Sequence, residues 1–142
     1  MKFVCQKSYN RKNLLIINGY IEDKEVVRER IFFEFYLGYD RKKAIKMALS
    51  ITDLRAFSYA LKEVAKTGKT EWKKFTESNR VKKQITLNSQ YINATDGNLK
   101  IGIAFLSIHE ILAIADDFTF IANEVEKELY QYQRSKNGKN AL

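Results

Sequence analysis

Basic and aromatic residues alternate along several segments of the sequence, a combination that suits binding to a polyanion with exposed aromatic faces. Within residues 26–36, Arg28, Arg30, Phe32 and Tyr36 fall on one side of an extended chain. Lys and Arg neutralise phosphates and exposed rings stack on unpaired bases, so this pattern favours binding to single-stranded nucleic acid. A duplex hides the faces of its bases and would not use such a platform.

Similar side chains in other segments extend this candidate surface. The candidate nucleic-acid-binding residues are Tyr9, Lys12, Tyr20, Arg28, Arg30, Phe32, Tyr36, Lys46, Trp72, Lys74, Lys82 and Lys100. An alternative for any single ring is that it covers a second layer of the fold or a subunit interface. We favour nucleic acid for the group as a whole because the basic residues are interleaved with the rings.

The positive charge is spread over the whole chain except for one segment. The formal net charge is +8, and residues 1–109 hold 21 Lys and Arg against 11 Asp and Glu. Residues 110–128 hold six acidic residues and one basic residue. A basic body favours polyanions such as nucleic acid or an acidic membrane surface, although it is also compatible with a merely soluble basic surface. The acidic segment should face away from a bound strand.

The sequence gives little support for catalysis. His109 is the only histidine, and no cluster of His, Cys or Asp stands near it to form a catalytic or metal site. The chain lacks a phosphate-cradling glycine loop and a nucleophile elbow. Asp116 and Asp117 fit a solvated helix face better than a divalent-metal site. We therefore expect no enzymatic activity, no catalytic residue, no metal, no cofactor and no small-molecule substrate.

The cysteine content and the first residues bear on the cellular setting. Cys5 is the only cysteine, which excludes an intramolecular disulfide and a cysteine-based zinc site. The first seven residues lack the apolar stretch of a signal peptide, and no apolar run reaches transmembrane length. We expect an intracellular, reducing and cytoplasmic setting without a membrane partner, which is compatible with a nucleoid-associated or virus-encoded protein.

Two segments 57 residues apart share the pattern of a strand end followed by a helix start. Residues 49–56 (LSITDLRA) align without gaps with residues 106–113 (LSIHEILA). Ser50 and Ser107 suit the N-cap position, and Asp53 and Glu110 lie three residues later, where a carboxylate completes a capping box. The pattern predicts helices from Ile51 to about residue 66 and from Ile108 to about residue 132.

Extended segments precede each helix and predict a repeated architecture. The predicted strands are 2–9, 14–21, 26–36 and 43–49, then 71–76, 82–88 and 99–106, with a further strand considered near 89–93. The prediction is an α+β fold of two β-β-β-β-α repeats, about 1–67 and 68–133, whose antiparallel sheets are each packed by a C-terminal helix and are pseudo-twofold related. Residues 1–133 form one domain, and residues 134–142 form a polar flexible tail.

The pattern resembles the Whirly family of single-stranded-DNA-binding proteins, which is related to the transcriptional-coactivator and Pur-alpha fold. Residues 46–54 (KMALSITDL) are similar to the family's strand that ends in Ala-Leu-Ser-Pro-x-Glu at the first helix. Residues 71–79 (EWKKFTESN) fall at the family's acidic-aromatic strand, and residues 82–121 follow the order of its second half. The family's Lys-Gly-Lys-Ala-Ala-Leu motif falls on residues 10–15, where Lys12 and Leu15 match.

The resemblance implies a function and a set of partners. It implies largely sequence-independent binding of single-stranded DNA across the sheets, a role in DNA replication or recombination, and self-association as a dimer or tetramer. Two alternatives remain open: a transcription regulator or RNA-binding protein on the same fold, and a protein-interaction module whose basic sheet binds an acidic protein.

Overall fold

The computed structural model describes residues 1–78 and 81–140, which form two antiparallel four-stranded sheets, each followed by a helix. The first unit consists of β1 (Lys2–Asn10), β2 (Leu14–Asp23), β3 (Val27–Leu37), β4 (Asp40–Leu49) and α1 (Ile51–Thr67). The second unit consists of β5 (Lys73–Ser78), β6 (Val81–Leu87), β7 (Tyr91–Asp96), β8 (Leu99–Ala104) and α2 (Ile108–Asn140). Each sheet has its strands in chain order. The predicted α+β plan of two four-strand-and-helix units is confirmed, and β7 is the strand considered near 89–93.

Alternation along the strands of the first sheet separates a buried face from an open face. Ile31, Phe33 and Phe35 of β3 are fully buried. They pair across β3 and β4 with three further buried residues, Leu49, Met47 and Ile45. Burying each such side chain contributes about 1.5–3 kcal/mol, and a slip of one residue would turn all of them to solvent. The predicted faces of β3 and β4 are confirmed.

Both helices begin at the predicted serines, but the two caps differ. At α1, the Ser50 hydroxyl accepts from the Asp53 backbone N–H at 2.9 Å, and the Asp53 carboxylate accepts from the Ser50 N–H at 3.1 Å. At α2, the Ser107 hydroxyl accepts from the Glu110 N–H at 3.1 Å, whereas the Glu110 carboxylate accepts from the Leu106 N–H at 3.0 Å. The second carboxylate therefore reaches one residue further back than a capping box requires.

Helix α2 packs against the first sheet, where it contacts β1, β2 and β3. Gly19 of β2 lies beneath it, and a Cβ placed at Gly19 would approach Cγ2 of Val125 to 2.7 Å. On β1, the Tyr9 hydroxyl donates a hydrogen bond to Asp117 at 2.8 Å. The sequence predicted a helix packed on the sheet of its own unit, and the structure differs because α2 crosses to the sheet of the first unit.

The two helices and β3 meet in one aromatic cluster. The Phe57 ring of α1 and the Phe118 ring of α2 have centroids 5.0 Å apart, and Phe33 of β3 lies 6.0 Å from the first and 5.4 Å from the second. Beside them, the buried Ser58 hydroxyl donates to the Ala115 carbonyl at 2.7 Å. The buried residues of both units form a single hydrophobic core rather than one core per repeat.

The ends of β8 and α2 differ from the prediction. Helix α2 continues to Asn140, through most of the segment 134–142 that was predicted as a flexible tail; residues 141 and 142 lie outside the described chain. Strand β8 ends at Ala104. Leu106 is consequently 71% exposed, whereas its counterpart in the repeat, Leu49, is 3% exposed. The repeat is therefore accurate at the helix starts but not at the end of the preceding strand.

Candidate nucleic-acid interface

The face of the first sheet that points away from the helices carries a row of aromatic rings. The Tyr20 ring of β2 packs edge-on against Phe3 of β1, at 5.9 Å between centroids, and against Phe32 of β3, at 6.0 Å. The Arg30 guanidinium lies over the Phe32 ring, 4.9 Å from its centroid. Phe3 is 54% exposed. These four residues, which we call the aromatic row, combine one exposed ring and two half-buried rings with a cation.

A β-bulge determines which ring of β1 joins this row. The pairing of β1 with β2 shifts between Phe3 and Cys5, so that Phe3 pairs with Tyr20 while Cys5 pairs with Gly19. Without the bulge, strict alternation would turn Phe3 to the helix side along with Tyr9. Sequence reasoning missed Phe3 for this reason, because nothing in the local pattern marks the bulge.

Polar side chains form a hydrogen-bonded chain beside the aromatic row on the same face. Gln6 donates to the Asn18 side-chain oxygen at 2.7 Å, and Asn18 donates to Glu34 at 2.7 Å. The other carboxylate oxygen of Glu34 accepts from the Tyr36 hydroxyl at 3.0 Å and pairs with the Lys46 ammonium at 3.4 Å. These hydrogen bonds hold the Gln6 amide at an exposed end of the face, where it can bond to a base edge.

Part of the positive charge on this face is already balanced by carboxylates. Arg28 pairs with Glu22 at 2.6 Å, and Lys46 pairs with Glu34 at 3.4 Å. Hydrogen bonds from Arg28 and Lys24 hold the pKa of Glu22 below its usual range, so this carboxylate stays ionised at neutral pH. The net positive charge of the first open face is therefore smaller than its count of Lys and Arg suggests.

Tyr36 lies on the open face as predicted but offers no ring surface for stacking. It is 5% exposed, its hydroxyl is bonded to Glu34, and the Arg41 guanidinium lies over its ring at 4.6 Å from the centroid. The prediction that Tyr36 stacks on a base is corrected: its role here is to orient Glu34.

The open face of the second sheet carries its own basic and aromatic residues. Phe75 of β5 pairs with Gln84 of β6, which pairs with Thr95 of β7, and Thr95 pairs with Lys100 of β8. The Lys82 ammonium lies over the exposed Phe75 ring at 5.5 Å from its centroid. Lys82 and Lys100 therefore lie on one open face, as predicted, and Phe75 is an exposed ring that the sequence reading did not select.

Three predicted binding residues lie on the helix side instead. Trp72 precedes β5 and stacks on Phe57 of α1, at 3.9 Å between centroids, so one face of the indole is covered. Lys74 pairs in register with the buried Ile85 and bonds to the Asp53 carboxylate at 2.9 Å. The strand begins at Lys73, two residues later than predicted, and residues 68–72 connect it to the end of α1. Trp72 and Lys74 consequently serve the packing of α1.

Tyr9 is the third residue of this kind. It is buried beneath α2, and both burial and the hydrogen bond to Asp117 raise the pKa of its phenol well above the ordinary value. The phenol therefore remains a hydrogen-bond donor in the physiological range. The prediction that Tyr9 contacts nucleic acid is corrected.

Basic residues of β1 and its turn balance the acidic helix. Lys2 pairs with Glu128 at 3.3 Å, Lys7 pairs with Asp117 at 3.6 Å, and Arg11 of the β1–β2 turn pairs with Glu110. These three carboxylates of α2 thus lie on the opposite side of the first sheet from the aromatic row.

Lys12 lies in the β1–β2 turn and faces a groove that Lys100 also lines. The turn is held against β8 by a hydrogen bond from the Asn13 side-chain amide to the Gly102 carbonyl at 3.0 Å. This contact brings together two lysines that are 88 residues apart in sequence and that the prediction had assigned to separate sheets.

Neither a group of metal-ligating residues nor a membrane-spanning helix is found within residues 1–78 and 81–140. This part of the chain contains no group of three or more His, Cys, Asp or Glu residues placed to hold a metal ion. Neither described helix is both long and apolar enough to cross a membrane. His109 is exposed in the first turn of α2.

Comparison with known proteins gives no family. No protein-family model matches the chain, and no curated protein matches its sequence.

Proposed function

We propose that this protein binds single-stranded DNA, largely independently of sequence, and holds the strand across the open faces of its two sheets. The observation that carries the proposal is the aromatic row with Arg30 stacked on Phe32. Each base that stacks on an exposed ring contributes about 1–3 kcal/mol, and every base has a face to stack, which is why such binding tolerates many sequences.

The two-unit architecture supports the same proposal. Two antiparallel four-stranded sheets, each followed by a helix, agree with the plan implied by the Whirly resemblance. We extend to this chain the function of that family, with a role in DNA replication or recombination in the cytoplasm and without catalysis. RNA binding and transcription regulation are the alternative functions on the same surface.

Self-association is part of this proposal. Three large apolar residues are exposed around the start of α2, the helix that covers the other face of the first sheet: Leu106, Ile108 and Leu112. A second copy of the chain that covered them would form a homo-oligomer without obstructing the aromatic row. Sedimentation velocity of the wild type and of Leu112→Glu measures this directly, and a protein that is monomeric at all concentrations would rule it out.

The experiment that tests binding is fluorescence anisotropy with single-stranded DNA, single-stranded RNA and duplex DNA of equal length. Phe32→Ala should weaken binding of the single strand by about 5- to 150-fold, the equivalent of one lost stacking contact. Arg30→Ala should also lower the magnitude of the log-affinity against log-salt slope by about 0.7.

Matched controls come from α1, where Lys62 lies over the exposed Tyr59 ring at 5.7 Å. This pair, like Arg30 and Phe32, places a cation over an aromatic ring but belongs to α1, so Tyr59→Ala and Lys62→Ala should leave the affinity and the salt slope unchanged. Equal effects at the two pairs, or tighter binding of duplex than of single strand, would refute the proposed site.

A further inference from the structure

A groove of about 570 Å³ lies between the β1–β2 turn and the open face of the second sheet. The turn supplies Lys12 and Asn13 as one wall, and Tyr91 and Asn93 of β7 with Lys100 of β8 lie across from it. The bond from Asn13 to the Gly102 carbonyl and the ion pair of the turn with α2 hold this wall in place. The volume falls within the range of about 300–1,000 Å³ that is typical of small-ligand sites.

The floor of the groove depends on small residues in β8. Tyr91 pairs with Ala104, and Asn93 pairs with Gly102. A Cβ at Gly102 would lie 2.8 Å from the Asn93 side-chain oxygen and 3.4 Å from Cδ1 of Tyr91. The absence of a side chain at Gly102 therefore allows the Asn93 amide and the Tyr91 ring to pack side by side over β8. Tyr91 is 41% exposed, while Asn93 is 7% exposed.

The charge of this groove distinguishes it from the other surfaces. Its lining residues include Lys12 and Lys100 and no Asp or Glu, while Arg11, which also lines it, is paired with Glu110. The open face of the first sheet has Glu22 and Glu34 among its basic residues. The larger groove beside α1 is lined by Glu63 and Glu71 together with a single lysine, Lys69. An anion meets less repulsion in the groove beside Tyr91 than at either of these surfaces.

We propose that this groove is a subsite for one nucleotide of a bound single strand. The base stacks on the Tyr91 ring, its edge bonds to the Asn93 amide, and the adjoining phosphate contacts Lys12 and Lys100. A ring, an amide and two ammonium groups match the three parts of a nucleotide that can be recognised. An Asn side chain offers an NH2 donor group beside a carbonyl acceptor, which suits a base edge such as that of adenine.

This inference rests on the proposed function and refines it. The aromatic row stacks on bases of any identity, whereas the groove confers a preference for one base at one position of the strand. Binding should therefore tolerate most sequences and should favour (dA)12 over (dT)12 by a few-fold through a single amide contact.

The test uses the full-length chain and fluorescein-labelled (dA)12 and (dT)12 in anisotropy titrations. Tyr91→Ala should weaken binding of both strands by about 5- to 150-fold, and Tyr91→Phe should retain the wild-type affinity because the ring remains. Gly102→Ala, which crowds the ring and the amide without changing charge, should weaken binding and reduce the preference for (dA)12. Urea midpoints of each variant show whether it is folded, and Tyr59→Ala serves as the exposed-tyrosine control.

A second measurement does not depend on the rest of the surface. In a two-dimensional ¹⁵N NMR titration with deoxyadenosine 5′-monophosphate, the Gly102 backbone amide and the Asn93 side-chain amide should shift together. Suppose that single strands bind and that Phe32→Ala weakens their binding, while Tyr91→Ala leaves the affinity unchanged and the nucleotide shifts no signal. The subsite is then refuted and the proposed function stands. If no single strand binds and the nucleotide causes no shifts, both are refuted.

Discussion

Gly19→Ala tests the packing of α2 on the first sheet, and we expect it to destabilise the protein. The new Cβ would lie 2.7 Å from Cγ2 of Val125 and 3.3 Å from Sγ of Cys5, well inside contact distance. Val125 is fully buried in α2, and a valine in a helix is restricted to essentially one rotamer. The clash can therefore be relieved only by a shift of the helix or of β2.

The size of the effect follows from the cost of overpacking a close-packed core. Inserting a methyl group where no space exists costs about 1–3 kcal/mol of the free energy of unfolding. Val125→Ala alone should also destabilise, by about 1.5 kcal/mol or more, because two buried methyl groups are lost. In the double variant the alanine of β2 occupies part of the space that the valine leaves, so we expect the two costs to offset each other by about 1–2 kcal/mol.

Urea unfolding followed by circular dichroism measures all four proteins of this cycle. The midpoint should fall in each single variant and partly recover in the double variant, with an unchanged slope against denaturant concentration. Gly102→Ala is a matched control, since it adds the same methyl group at a β-strand glycine away from α2 and should show no coupling to Val125→Ala. Additive effects of Gly19→Ala and Val125→Ala would refute the packing of α2 on β2.

The other predictions concern the helix cap, the helix contact and charge. Ser50→Ala should cost about 1 kcal/mol in urea unfolding because a capping hydrogen bond is lost. Burial would raise the pKa of Asp53, but the hydrogen bonds from its lysine partner on β5 and from Ser50 outweigh burial and lower it. The ionised Asp53 carboxylate therefore stabilises the folded state fully above about pH 4, the pKa in the unfolded chain, and this stabilisation is lost as the pH falls through the lower folded pKa. In urea unfolding at decreasing pH, the difference in stability between the wild type and Asp53→Asn should accordingly disappear. Ser58→Ala should cost about 1 kcal/mol, because the hydroxyl that joins α1 to α2 is removed, and the loss should appear in the same urea assay. Lys100→Ala should lower the salt slope of single-strand binding by about 0.7, whereas Asp116→Lys, on the helix side, should leave it unchanged.

The elements of this fold could be predicted because their signals are local. The alternation in β3 shows which side chains are buried, since side chains of a strand point to opposite faces in turn. The serine and aspartate at the start of α1 mark a helix boundary within four residues. Gly68 marks its end, because the chain there adopts a left-handed conformation with φ of +76°.

The partners of these elements could not be predicted, since they depend on contacts distant in sequence. The sequence of α2 shows an apolar stripe but does not show which sheet that stripe covers. The folded structure shows that it packs on β1, β2 and β3. In the candidate site, too, the residues whose positions depend on local patterns could be predicted, and those whose positions depend on distant contacts could not. Phe32, Arg30 and Lys46 lie on the open face because the register of β3 and β4 follows from their own patterns. Trp72 was misplaced because the alternation within residues 71–76 shows which side chains share a face but not which face a helix covers, and the structure places Trp72 against α1.

The crossing of α2 onto the first sheet also has a consequence for how the protein is made. The ribosome synthesises β1, β2 and β3 well before residues 108–125, yet the helix that contains these later residues packs on the buried side of the three strands. The nascent first half must therefore carry uncovered Ile17 and Ile21 of β2 until α2 emerges, a state that is prone to aggregation and suited to chaperone binding. Although the sequence contains two repeats, the first cannot finish folding before the second has been translated.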